Sequence, residues 1–148
     1  YEQAYWAAAA LLPPDKKIVA NDVVPAQPLR MVRELGKRSL GDQLVVDLHY
    51  YRAHVPLGKY LSRIRHHDVV ETAWRSQLAE AGSQVPIIVG EWSGALPGDH
   101  SVEAQKAFHD VQKNLFGEYA LAHFYWSWKT PGMGSWSYRD FIRDEAED

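Results

Sequence analysis

The chain contains no cysteine. Disulfides, thiolate nucleophiles and cysteine-based metal sites are therefore excluded, while the compartment stays open, because many secreted proteins also lack the residue. It lacks a surplus of charge as well. A net charge of −3 and a pI near 6.2 over 148 residues give no reason to expect a nucleic acid or an anionic membrane as partner. Lys and Arg are scattered and gather only between Arg33 and Arg38 and at Arg63 and Arg65. Neither group is interleaved with aromatics as a single-strand platform would be. No apolar run approaches the ~20 residues of a membrane-spanning helix; Ala7 to Leu12 is short and lies inside an amphipathic pattern. His54, His100, His109 and His123 share no zinc spacing, and His66-His67 reads as part of a polar helix face. No metal or other cofactor is expected. The chain opens on Tyr1 in a helical pattern, with no initiator or signal peptide, and reads as a piece of a longer polypeptide, residues 1–148 forming one partial domain.

What is present is aromatic and apolar. Hydrophobic residues make up 46% of the chain, enough for one core of ordinary size. Six Trp and eight Tyr are a high load for this length, and such residues serve sugar-binding faces as well as cores.

Residues Glu2 to Leu12 read as a helix ended by Pro13-Pro14. Lys17 to Val24 is a strand closed by Pro25, and Leu29 to Leu35 a short helix stopped by Gly36. Leu44 to His49 is a second strand, entered from Gly41-Asp42, and a loop with Pro56 and Gly58 follows. A helix from about Ser62 to Ala81 sets Val70, Trp74 and Leu78 on one face. Pro86 to Glu91 is the third strand. Ser101 caps a helix with Ala104, Phe108, Val111 and Leu115 as its buried stripe and Gly117 as its C-cap. Leu121 to Trp128 is the fourth strand, and a glycine-rich loop from Thr130 to Ser135 leads to a short element around Tyr138 to Ile142 and a charged tail. Strands alternate with helices, no hairpin signal appears, and the strand runs are continuously apolar. This is the pattern of an α/β fold built of parallel βα units. Four such strands are half of a barrel.

The strand ends carry chemistry. Pro86-Ile87-Ile88-Val89-Gly90-Glu91-Trp92-Ser93 is an apolar run closed by a lone carboxylate. A buried unpaired carboxylate is costly, so Glu91 must be paired, neutralised or used. The carboxyl ends of strands are where parallel α/β folds bind ligands. The second strand contributes Asp47, His49 and Tyr51, which period-two alternation puts on one face. The first contributes Asn21 and Asp22, the latter also readable as a loop cap or ion-pair member. The fourth contributes Tyr125, Trp126, Trp128 and Lys129. Each residue has a structural reading by itself; their coincidence at successive strand ends is what points to a site.

In this order the segments Val45-Val46-Asp47-Leu48-His49-Tyr50-Tyr51, Ile87-Ile88-Val89-Gly90-Glu91-Trp92-Ser93 and Phe124-Tyr125-Trp126-Ser127-Trp128-Lys129-Thr130 resemble glycoside hydrolase family 5, most closely its exo-β-1,3-glucanase branch. Glu103-Ala104-Gln105 and Trp136 also fit. The resemblance implies strands five to eight of a (β/α)8 TIM barrel, a β-glucan or β-glucoside substrate, and hydrolysis with retention. It implies Glu91 as nucleophile, His49 and Tyr51 holding its orientation, and Trp126 as the apolar floor of the first subsite. Trp128 and Trp92 would be further wall residues, and Asp22 a substrate-side residue on a strand where the family often has His-Asp and this chain has Asn-Asp. The family's acid/base glutamate follows an Asn, and no Asn-Glu pair occurs here; the family's early arginine is also absent. The expectation is the nucleophile half of a two-carboxylate site, inactive alone and completed by the remaining barrel half or a second copy. The alternatives are a non-catalytic carbohydrate-binding or interaction module and another barrel enzyme using Glu91 as a general base. Substrate class suggests an extracellular setting; linkage and exo or endo action are open.

Overall fold

The computed structural model describes residues 2–22, 29–36, 42–53, 63–97, 101–131 and 134–143. Expectations resting on Pro25, Gly41, His54, Pro56, Gly58, His100 and the acidic tail lie outside these residues, as does the side chain of Asp22.

Four strands form one parallel sheet in the order β1-β2-β3-β4: β1 Ile18–Asp22, β2 Leu44–Tyr50, β3 Ile87–Trp92 and β4 His123–Tyr125. Helices occupy the connections, as parallel pairing requires. They are α1 Glu2–Leu11 ahead of β1, α2 Arg30–Gly36, α3 Arg63–Asp68, α4 Arg75–Gly82, α5 Val102–Tyr119 and α6 Tyr138–Arg143. A three-residue 3₁₀ turn at Gly134–Trp136 precedes α6. The expected α/β fold of parallel βα units is the fold of the chain.

One face of the sheet carries the core. Leu44, Val46, Leu48 and Tyr50 of β2 and Ile87, Val89 and Trp92 of β3 pack on Val70, Trp74, Leu78, Phe108, Leu115 and Phe116 from the helices. Tyr50 lies 4.8 Å from the Trp74 ring and 5.4 Å from Phe116, so aromatics fill much of this layer. The other face is less covered among the described residues: Val45 is buried, but Val19 and Phe124 are 54% and 55% exposed. The sequence pattern of continuous apolar strands is thus met by helices on one side only.

Four details differ from expectation. The long helix before β3 is interrupted by a π-helical stretch, Val69–Trp74. The Thr72 hydroxyl donates to the Asp68 carbonyl over 2.5 Å, a side-chain competitor for the helical ladder at the point where the helix widens. Helix α5 begins at its Ser101 cap, whose hydroxyl accepts from the Ala104 N–H, but runs past Gly117 to Tyr119. Burial of Leu115 and Phe116 and packing of Tyr119 hold the last turn where glycine would allow it to stop. Val111 is only partly buried, while His109 and Gln112 are buried on the inner face. Strand β4 is shorter than Leu121 to Trp128. Backbone bonds Leu121 N–H to Ile87, Val89 N–H to Ala122 and Trp126 N–H to Trp92 extend its pairing to Trp126, and there the ladder ends.

His66 is also misplaced by the sequence pattern. It is fully buried, accepting at Nδ1 from Arg52 Nε over 3.0 Å, not part of a polar face. Desolvation lowers the pKa of that buried guanidinium from its ordinary value. Among the described residues no group of three or more His, Asp or Glu side chains could hold a metal ion. No described helix is long and apolar enough to cross a membrane.

Candidate active site

Alternation on β2 sends Leu44, Val46, Leu48 and Tyr50 to the helices and Val45, Asp47 and His49 to the other face. Applied to β3, the same rule sends Ile87 and Val89 to the helices, and Glu91 would follow them. It does not. The register steps from Leu48↔Val89 to His49↔Glu91, so an extra residue, Gly90, is accommodated in β3. This bulge turns Glu91 to the face of Asp47 and His49 and sends Trp92 to the core.

The bulge needs glycine for a steric reason. A Cβ on residue 90 would lie 2.1 Å from Asp47 Oδ1 and 2.6 Å from its Cγ. The Asp47 carboxylate fills that space and accepts the Gly90 N–H over 2.8 Å.

Five side chains then form one connected cluster across β1, β2 and β3. Asn21 Nδ2 donates to Asp47 Oδ2 over 2.7 Å and lies 2.9 Å from His49 Nε2. His49 Nε2 is 3.2 Å from Asp47 Oδ2, and His49 Nδ1 is 3.3 Å from Glu91 Oε2. The Tyr51 hydroxyl donates to the same Glu91 oxygen over 2.7 Å. Burial and, next, the bond to Glu91 raise the Tyr51 phenol above its ordinary value, so it stays a donor throughout neutral pH. Behind it the Trp136 ring packs at 5.6 Å and 30°.

The structure therefore brings Glu91, His49 and Tyr51 together at the carboxyl ends of β2 and β3. It leaves Oε1 of Glu91 without a bonding partner among the described residues. Such a carboxylate, oriented through one oxygen and open at the other, can act as a nucleophile or a base.

The tryptophans divide. Trp126 and Trp128 are 53% and 62% exposed, with ring surface available to a ligand. Trp92 is 2% exposed and packs against His109 at 5.2 Å, Tyr125 at 4.9 Å and Phe116 at 5.3 Å. The bulge that exposes Glu91 buries its neighbour, which puts a packing role where the sequence suggested a wall. A cavity of about 290 Å³ is lined by Trp92, His123, Tyr125, Trp128 and Tyr138 among others, but not by Glu91, His49 or Tyr51.

The loop bearing Trp126 and Trp128 is tied down by bonds that sequence reasoning missed. The Tyr125 hydroxyl accepts the Gly94 N–H over 2.9 Å and donates to the Ser135 carbonyl. Ser127 N–H donates to Trp136, Tyr138 N–H to Ser127 and Arg139 N–H to Trp128, each over 2.9 Å. Burial pushes the Tyr125 phenol up to about 12. The buried Gln112 amide, donating to the Ser93 carbonyl over 3.0 Å, anchors the chain just after Glu91 to α5.

No family model and no curated protein matches the chain. Solved structures do. The chain is similar to a rutinosidase from Aspergillus niger with a TM-score of 0.71 and 17% identity, over 100% of this chain and 42% of that one. It is also similar to AoRut with a TM-score of 0.69 and 16% identity, over 97% and 39% of the two chains. It spans about two fifths of the length of these neighbours. The fold is accordingly that of part of a TIM barrel.

Proposed function

We propose that this chain supplies the nucleophile side of a retaining β-glycoside hydrolase site of the family 5 type, with Glu91 as nucleophile. The observation that carries the reading is the Glu91 carboxylate at a strand end, receiving the Tyr51 hydroxyl at 2.7 Å and faced by His49 Nδ1 at 3.3 Å. The Tyr51 hydroxyl occupies Oε2, and the imidazole faces that same oxygen. The lone pairs of Oε1 are left to attack the anomeric carbon, forming a glycosyl ester as the leaving oxygen departs. Trp126 supplies the apolar floor, and Trp128 extends it.

Retention needs a second carboxyl group about 5–5.5 Å from the first to protonate the leaving oxygen and then activate water. The family places that glutamate after an Asn, and this chain has no Asn-Glu pair. Strands β1 and β4 each have a single strand neighbour among the described residues, as in an open sheet that a complete eight-stranded barrel would close. The remaining half of a barrel, or a second copy, is the partner that this reading requires. Residues 1–148 alone are expected to show little or no turnover. β-Glucosides are the first substrates to test, and a rutinoside belongs beside them because a structural neighbour is a rutinosidase.

The test is intact-mass spectrometry after incubation with an activated 2-deoxy-2-fluoro-β-glucoside, which traps a nucleophile as a stable ester. A mass gain mapping to Glu91 and lost in Glu91→Gln supports the reading. No gain, with the fold intact by circular dichroism, removes Glu91 as a competent nucleophile in this chain.

The exposure of Phe124, Trp126 and Trp128 favours a second reading, a non-catalytic carbohydrate-binding module. Calorimetric titration with laminari-oligosaccharides separates the two in part. Binding that survives Glu91→Ala, without labelling of the unsubstituted chain, supports the module.

A further inference from the structure

The proton positions in the cluster around His49 are determined by the residues behind it. Asn21 Nδ2 lies 2.7 Å from Asp47 Oδ2, an oxygen that can only accept. That end of the amide is therefore its NH₂ group. The same nitrogen is 2.9 Å from His49 Nε2. An amide NH₂ offers protons and no usable lone pair, so Nε2 is the acceptor there. A neutral imidazole that accepts at Nε2 carries its proton at Nδ1, the nitrogen 3.3 Å from Glu91 Oε2.

The opposite tautomer fits worse. A proton on Nε2 would gain the 3.2 Å contact with Asp47 Oδ2. It would also meet the Asn21 NH₂ group at 2.9 Å and turn the Nδ1 lone pair toward a carboxylate oxygen at 3.3 Å. Two repulsive contacts outweigh one long hydrogen bond. Asp47 is itself held in place by the Gly90 N–H, at the bulge that aims Glu91.

We propose that Asn21 and Asp47 are positioning residues that hold His49 in its Nδ1–H tautomer, so that the imidazole presents a proton to Glu91 Oε2 and leaves Oε1 as the reactive oxygen. Asp47 orients the Asn21 amide, Asn21 occupies Nε2, and His49 passes the polarity on to Glu91. The catalytic consequence rests on Glu91 being the nucleophile; the tautomer does not.

The experiment is a long-range ¹H–¹⁵N correlation spectrum of the ¹⁵N-labelled chain at pH 8, above the ordinary imidazole range. His49 is assigned by the signals that vanish in His49→Gln. The expected spectrum shows a protonated Nδ1 and an unprotonated Nε2. Asn21→Leu, close in size but without the donor, frees Nε2 to take a proton toward Asp47, and the two shifts exchange. Labelling of Glu91 by the fluoroglucoside slows by about tenfold or more in the same variant, the size of one lost hydrogen bond to a charged group. A wild-type His49 protonated at Nε2 overturns the proposal, and so does an unchanged His49 spectrum in folded Asn21→Leu. Should Asn21→Leu not fold, the wild-type spectrum decides alone. The two failures are separable: an Nδ1–H imidazole with no labelling sinks the glycosidase reading only, and labelled Glu91 beside an Nε2–H imidazole sinks the positioning role only.

Discussion

Tyr51, the first residue beyond β2, donates its hydroxyl to Glu91 Oε2, near the end of β3, over 2.7 Å. The bond joins two adjacent strand ends and occupies one oxygen of the carboxylate. Its loss has a spectroscopic and a thermodynamic signature.

Tyr51 and Tyr125 are held above the ordinary phenol range, Tyr125 at about 12. Both have raised folded-state values, so above pH ~10 the unfolded chain binds fewer protons than the folded one. Their contribution to stability is whole below pH ~10 and is lost as pH rises toward the folded values. Urea midpoints should fall between pH 10 and 12, and absorbance at 295 nm should show a late phenolate phase that is smaller in Tyr51→Phe. A Tyr51→Phe titration that overlays the wild type would refute the half-buried bond to Glu91.

His123 predicts the opposite edge of the pH range. Burial, then Lys113 and His109, lower its pKa below the ordinary imidazole value of 6.5. Below that value the unfolded chain binds more protons, so stability is whole above pH ~6.5 and falls on acidification. Thermal midpoints should drop between pH 7.5 and 5.5, with a shallower slope in His123→Gln. Equal slopes would remove His123 from the account.

Gly90→Ala sets a methyl group against the Asp47 carboxylate at 2.1 Å. Overpacking of this kind costs roughly 1–3 kcal/mol by urea denaturation. The cost should shrink when measured in an Asp47→Ala background, because the two side chains contend for one space. Full additivity of the two substitutions would contradict the geometry.

Trp92 and Trp126 should separate cleanly by stability. Trp92→Ala removes a side chain that is 2% exposed and should cost about 3–5 kcal/mol. Trp126→Ala removes one that is 53% exposed and should stay within ~0.5 kcal/mol. Oligosaccharide affinity should follow Trp126 instead. A large stability loss in Trp126→Ala would make it a packing residue.

The alternation of Asp47, His49 and Tyr51 is visible in the sequence because strand period is a local property. The helix-facing residues Val70, Trp74, Phe108 and Leu115 are visible for the same reason. The facing of Glu91 is not. Parity alone sends it into the core, and the bulge that reverses it depends on a carboxylate 43 residues earlier in the chain. Trp92 and Trp126 look alike in sequence, and only their distance from that bulge and from the last ladder bond separates core from surface. Gly117 and His66 fail similarly, since packing by Phe116 and Tyr119, and a bond from Arg52, override the local signal.

The bulge at Gly90 makes the position of the carboxylate a matter of counting. A pairing that ran on without the extra residue, His49 opposite Gly90 and Tyr50 opposite Glu91, would carry the carboxylate into the layer of Phe108, Leu115 and Phe116. Glu91, His49, Tyr51 and Asp47 would all be unchanged, and a comparison by residue identity would still score the site as intact. The carboxylate would nonetheless be buried without Tyr51, an environment that disfavours its charge. For a chain of this design, a relative one residue shorter before Glu91 needs no bulge to aim the carboxylate, whereas one that keeps the length but carries a side chain at position 90 contends with Asp47 and is grounds to doubt the site even where every named side chain aligns.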